Sequence, residues 1–280
     1  MTRSFYVSFC IVYGLAITAG CSENTVSSEN LPNNQIQAEI NIVSNSADTV
    51  SAHAQLTTPD GINIILENGD ELWFSVKPPT GPNGFSFASS DDVFASLDEL
   101  QDTTTRFEYV PSISRTFEPF FAGVTGHWYS AELMASVQRE YHVFLLRSDG
   151  RYLPSSVVLP QPVVITTPLS NTSYSRGNDD IVVEWTPPSA PLQPGESGLV
   201  DLEVHTDCPN GNEYTYSDVT NADSGSAVIA AGSLFNSLNE QNCAATIAIR
   251  RYRFGQLDNR FHSGTITGYQ IGRVAIVSVP

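Results

Sequence analysis

The chain has 280 residues, 41% of them hydrophobic and 10% aromatic, enough to bury one large core or two smaller ones, which excludes disorder throughout. Only 13 side chains are basic against 30 acidic, so the formal charge is −17, and Lys77 is the single lysine. Such a surface repels phosphate backbones and anionic headgroups, which need clustered Lys or Arg, and nucleic-acid binding is excluded.

Arg3 supplies a positive start, Phe5 to Ile17 forms a mostly apolar run, and small residues follow. That run is too short for a standard spanning helix, so residues 1–20 read as a secretory leader. Its end, Ile17-Thr18-Ala19-Gly20-Cys21, resembles a bacterial lipobox, with Thr18 standing where leucine is usual. The resemblance implies that Cys21 becomes the mature N-terminus and carries palmitate-type acyl chains. Ser22 in place of an aspartate implies sorting to the outer membrane, facing the periplasm or the outside. Two or three chains, at about 0.8 kcal/mol per buried methylene, hold a protein in the bilayer where one does not. The alternative is an ordinary signal peptide with a chance cysteine. Residues 22–35, SENTVSSENLPNNQ, carry little apolar material, so 21–35 is expected to be a flexible tether.

From Ile36 the dominant period is two. Ile36, Ala38, Ile40 and Ile42 alternate with polar residues, as do Val50, Ala52, Ala54 and Leu56, which is the pattern of half-buried strands. Ile62–Leu66 and Leu72–Val76 flank Asn68-Gly69, the signature of a tight hairpin. Further strands are expected at 106–110, 127–136 and 140–147, and a short helix at 90–100, capped by Ser90 or Asp91. Pro154, Pro160 and Pro162 mark a connection that restricts the angle between two domains, 36–160 and 162–280. The second half predicts strands at 163–166, 181–185, 199–205, 214–219, 227–229, 244–254 and 270–279, as many as a β-sandwich needs.

Pro162-Val163-Val164-Ile165-Thr166-Thr167-Pro168, followed by Ile181-Val182-Val183-Glu184-Trp185-Thr186-Pro187, resembles the opening of bacterial immunoglobulin-like or fibronectin-III-like sandwich domains. Asp223-Ser224-Gly225-Ser226, with Ala231-Gly232-Ser233-Leu234 after it, is similar to segments of bacterial envelope lipoproteins built on this plan. The resemblance implies an all-β chain of two tandem sandwiches behind a lipobox leader; it implies no reaction.

Of four cysteines, Cys10 leaves with the leader and Cys21 takes lipid, so Cys208 and Cys243 are expected to pair in an oxidising compartment. The rival is a reactive thiol or a metal pair, disfavoured because no ligand stands at the right spacing near either. Asp223-Ser224-Gly225 with His205 has no triad context and reads as a turn. Gly-x-Ser-x-Gly, His-Glu-x-x-His, a phosphate-binding glycine loop and Cys-x-x-Cys do not occur, so no enzymatic motif, cofactor or metal site is assigned. His53, His127, His142, His205 and His262 are scattered on strands. Asp91-Asp92 and Asp179-Asp180 read as caps and turns, with calcium as the alternative. Phe117, Phe120, Phe121, Trp128 and Tyr129 read as core, with a sugar- or protein-stacking loop as the alternative. Arg250, Arg251, Arg253 and Arg260 read as partners of carboxylates such as Asp258, with an anion-binding face as the alternative. The reading is a lipid-anchored, non-enzymatic binding module for a protein or glycan, or else a structural or assembly accessory of an envelope complex.

Overall fold

The computed structural model describes residues 25–44, 49–76, 104–110, 128–135, 139–189, 192, 195–209, 213–234 and 241–280. The leader with Cys10, the lipobox with Cys21, and the expected helix at 90–100 lie outside the described residues. No helix among those described is long and apolar enough to cross a membrane. The first half contributes β1 (Thr25–Ser27), β2 (Gln37–Ser44), β3 (Thr49–Thr57), β4 (Asn63–Ile65), β5 (Glu71–Ser75), β6 (Thr104–Arg106), β7 (Glu108–Val110), β8 (Trp128–Met134), β9 (Glu140–Leu146) and β10 (Tyr152–Val158). The second half contributes β11 (Ile165–Thr167), β12 (Ser173–Ser175), β13 (Ile181–Trp185), β14 (Glu196–Asp207), β15 (Glu213–Ala222), β16 (Ser226–Ile229), β17 (Cys243–Phe254) and β18 (Ser263–Val279).

One 11-stranded sheet runs in the order β1-β4-β3-β2-β18-β17-β14-β15, with β8 joined to β3, β7 to β8, and β12 to the end of β18. The sheet β10-β9-β5-β6 covers its first part and the sheet β11-β13-β16 its second. Alternation explains both cores. Ile36, Ala38, Ile40 and Ile42 with Val50, Ala52, Ala54 and Leu56 face Leu72, Phe74, Tyr141, Val143 and Leu145. Val200, Leu202, Val204, Ile247 and Ile249 face Ile181, Val183 and Trp185.

Whatever the division near residue 161, β18 contributes to both cores. Its first part, Ser263–Gln270, pairs in parallel with β2, while Thr267–Ser278 pairs antiparallel with β17. On its inner face Ile266 enters the first core and Ile276 the second. Between them Gly268 and Gly272 leave room for the connection from β10: a Cβ at Gly268 would lie 2.9 Å from Leu159 Cδ2, and one at Gly272 2.7 Å from the Val163 carbonyl oxygen. Arg251, only 3% exposed, holds that connection. Its guanidinium donates to the carbonyls of Gln161 (2.9 Å), Pro162 (3.3 Å) and Thr186 (2.9 Å), and makes a bidentate pair with Asp223. The Trp185 indole donates to the same carboxylate at 2.8 Å.

Three expectations are corrected. Residues 25–35 are not a flexible arm: β1 pairs with β4, two 3-10 turns follow, and Ser28 is fully buried. Their anchor is polar, since buried Arg147 donates to the carbonyls of Ser28 and Leu31 (2.9 Å each) and to Asn33 Oδ1 (3.0 Å), and stands 3.1 Å from Asp70 Oδ2. Asn68-Gly69 does turn the chain, at φ +55 and +91, but β4 and β5 enter different sheets, so it makes a corner instead of a hairpin. Residues 152–158 are strand β10, not linker; Pro154 is tolerated because β10 is the edge of its sheet.

Arg251→Met leaves Asp223 buried without its cation and three carbonyls without their donor, and lowers unfolding free energy by about 3–5 kcal/mol. Urea denaturation measures this; a loss within 0.5 kcal/mol, on the order of an ordinary surface substitution, contradicts it.

Candidate functional site

Cys208 at the end of β14 and Cys243 at the start of β17 form a disulfide, with Cα atoms 4.4 Å apart. It closes a loop across a sequence separation of 35 residues. By the chain-entropy account such a closure stabilises by about 3–4 kcal/mol. Both cysteines are buried, and Arg176 Nη1 lies 3.2 Å from Cys243 Sγ while Nη2 donates to the Gln241 carbonyl at 2.7 Å.

The other residues singled out in the sequence are dispersed. Asp179 accepts from the Ser175 amide (2.7 Å) and Asp180 from the Ala231 amide (2.8 Å), each fixing a turn. Arg250 pairs with Asp201, Arg251 with Asp223 and Arg260 with Asp258, so these arginines balance carboxylates. In the Asp223-Ser224-Gly225 bend the carboxylate serves Arg251, whereas half-buried His205 contacts Thr215 Oγ1 at 3.3 Å. The structure does not bring the three together. Trp128 and Tyr129 are buried, and the Tyr129 hydroxyl donates to the Ile64 carbonyl (3.1 Å) and accepts from the Leu66 amide (2.7 Å). Burial pushes that phenol up to about 12. These two rings are therefore core; Phe117, Phe120, Phe121, His127, Asp91 and Asp92 lie outside the described residues.

His53 is buried on the face of β3 opposite the core, with Nδ1 3.3 Å from Ser130 Oγ. Desolvation pushes its imidazole down to about 4. His142 is also lowered by burial, opposed by Glu140 nearby. Among the described residues no three His, Cys, Asp or Glu side chains converge as metal ligands.

What the structure does assemble is an end of mixed polar and apolar lining. Asn34 and Gln35 in the second 3-10 turn, Thr58 and Asp60 in the β3–β4 turn, and His262 before β18, together with apolar Val26, Pro59 and Ile62, line an open cleft of about 480 Å³. Further along β2 and β3, Gln37, Glu39, Gln55, Thr57 and Thr265 line a second of about 280 Å³. His262 Nδ1 lies 3.1 Å from the Asn34 carbonyl, which can only accept, so Nδ1 carries the proton. The amides, hydroxyls and carboxylates of these linings offer hydrogen-bond donors and acceptors toward the open space. Sequence reasoning missed this end, because its residues come from the supposed tether, one turn and a loop over 200 residues away. It missed Arg147 too, although a lone arginine closing the apolar run Tyr141 to Leu146 is a signal of a buried cation.

No family model matches the sequence, and no curated protein does. Among solved structures the chain is similar to the FN1-FN3 domains of chicken CNTN1, at 12% identity and a TM-score of 0.24, covering 86% of this chain and 65% of that one. It is similar to DIP-gamma IG1+IG2 at 8% identity and 0.21, covering 86% and 97%, and to the Yersinia pseudotuberculosis adhesin InvE at 13% and 0.20, covering 89% and 60%. TM-scores this low carry no argument, and the all-β architecture rests on the sheets described above.

Because neutral His53 is buried at a value near 4 while an unfolded histidine titrates near 6.5, its contribution is complete above pH 6.5 and is lost as pH falls toward 4. The loss is on the order of 3 kcal/mol. Urea midpoints at pH 7.5 and 4.5 fall further apart in the wild type than in His53→Gln; equal differences contradict the assignment.

Proposed function

We propose that the chain is a non-enzymatic binding module of the bacterial cell envelope, anchored in the outer membrane through lipidated Cys21 and carrying two immunoglobulin-like sandwiches that offer a protein or glycan a docking surface. The observation that carries the reading is the end of the first sandwich where two open clefts set amides and hydroxyls such as Gln35, Thr58, Gln37 and Gln55 beside apolar Val26, Pro59 and Ile62, a lining that suits the mixed surface of a peptide or a sugar. The strongest buried charges support it by elimination: Arg147, Arg176 and Arg251 are each engaged with backbone carbonyls and hold segments together. A second reading, a structural accessory of an envelope complex, draws on the outer face of the three-stranded sheet. There Val182 and Val228 are cross-strand partners, 42% and 57% exposed.

Cys21→Ser moves the protein from the membrane to the soluble fraction, and continued membrane association contradicts anchoring through that residue. The soluble variant, titrated against arrays of oligosaccharides and envelope peptides, yields a ligand whose binding is lost in Gln35→Trp, which fills the larger cleft. A ligand bound equally well by Gln35→Trp overturns the cleft as the site. Protease added to intact cells digests a surface-displayed body and spares a periplasmic one, which separates binding at the surface from assembly within the envelope.

A further inference from the structure

The far end of the 11-stranded sheet is β15, which among the described residues pairs only with β14. From Glu213 to Val219 the register with β14 is regular, the shift coming only at Val200/Asp201. This stretch holds no lysine and no proline, the residues that ordinarily guard a sheet edge from further pairing. Its two sides differ. Tyr214 and Tyr216 are half-buried, and Tyr216 packs against the second core, whereas Glu213, Thr215 and Ser217 are exposed on the other side.

That other side is acidic. Asp207 stands directly across from Glu213, His205 from Thr215 and Glu203 from Ser217. Like charges placed directly opposite one another destabilise a strand pair unless a cation joins them. Glu203 is the independent sign of a missing partner: it is 6% exposed and its Oε1 makes no hydrogen bond. Burial raises its carboxyl in spite of nearby Arg250. Arg250 is committed elsewhere, donating through Nε to Asp201 at 2.9 Å with its guanidinium 5.1 Å from the Tyr269 ring centre. A strand added beyond β15 would run about 10 Å from β14, two inter-strand spacings, and a lysine or arginine on it reaches Glu203 over the small Ser217.

We propose that the β15 edge is a docking site for an extended segment of a partner protein, alternately basic and apolar, which adds as a further strand and sets a cationic side chain against Glu203. The alternation follows from the two sides: cations meet Glu213, Glu203 and Asp207, and apolar residues continue the Tyr214–Tyr216 row. The occupant is not a second copy, because two chains of charge −17, each with an acidic edge, repel one another. Strand addition supplies affinity through main-chain hydrogen bonds, and the alternate side chains supply specificity. The inference rests on the reading of the chain as a binding module and names a partner class for a surface other than the clefts.

The test uses the full chain as Cys21→Ser and a fluorescent eight-residue peptide of alternating lysine and valine, followed by anisotropy. Controls are a peptide of the same charge with two valines replaced by proline, and one with glutamate for lysine. The alternating peptide binds; the proline and glutamate peptides bind at least about tenfold more weakly. Glu203→Gln raises Kd about tenfold, and Ser217→Arg, an exposed substitution, does at least the same by blocking the reach. Equal binding of the proline peptide reduces the effect to diffuse charge attraction and overturns the proposal, as does no binding, or binding indifferent to both variants. Peptide binding lost in Gln35→Trp transfers it to the cleft and also overturns the edge. A cleft ligand retained without peptide binding sinks this inference alone.

Discussion

The Arg251 guanidinium stands where the chain must pass from one core to the other, and its contacts decide whether that passage can be buried. The connection crosses the inner face of β18 at Gly268 and Gly272, and the carbonyls of Gln161 and Pro162, which pair with no strand among the described residues, are met by the buried Arg251 guanidinium. A buried carbonyl without a donor costs about as much as a lost hydrogen bond. Arg251 supplies the donors, Asp223 neutralises it, and Trp185 fixes Asp223 from the second core. A lysine offers no planar fork to serve two carbonyls and a carboxylate at once. Arg147 repeats the device at the other end, where a polar N-terminal segment is held by a buried cation together with the apolar contacts of Val26 and Leu31.

This dependence explains which parts of the fold were legible in the sequence. Strands with one buried face announce themselves by alternation, and the expected elements at 36–42, 50–56, 140–147, 181–185 and 244–254 match β2, β3, β9, β13 and β17. Residues 25–35 were opaque because composition measures apolar content, and their anchor is Arg147. β10 was hidden by Pro154, a residue that disqualifies a central strand but not an edge. The parallel pairing of β18 with β2 joins residues 263–270 to 37–44, a relation that no local pattern carries. The spacing of Gly264, Gly268 and Gly272, all on one side of a strand, was its one available trace.

The candidate site was less legible than the fold for the same reason. Cys208 and Cys243 could be paired by counting, and Asp179 and Asp180 assigned to turns from their neighbours. The clefts and the β15 edge are products of tertiary placement: one gathers loops from both ends of the chain, the other is defined by what does not pair with it among the described residues.

β18, paired with both β2 and β17, and the Arg251 waist join the two cores into one unit. Differential scanning calorimetry of the Cys21→Ser protein tests this most directly. A shared strand predicts a single transition whose calorimetric and van't Hoff enthalpies agree. Two resolved transitions, each carrying roughly half the heat, would contradict it and return the molecule to two independent sandwiches joined by a linker.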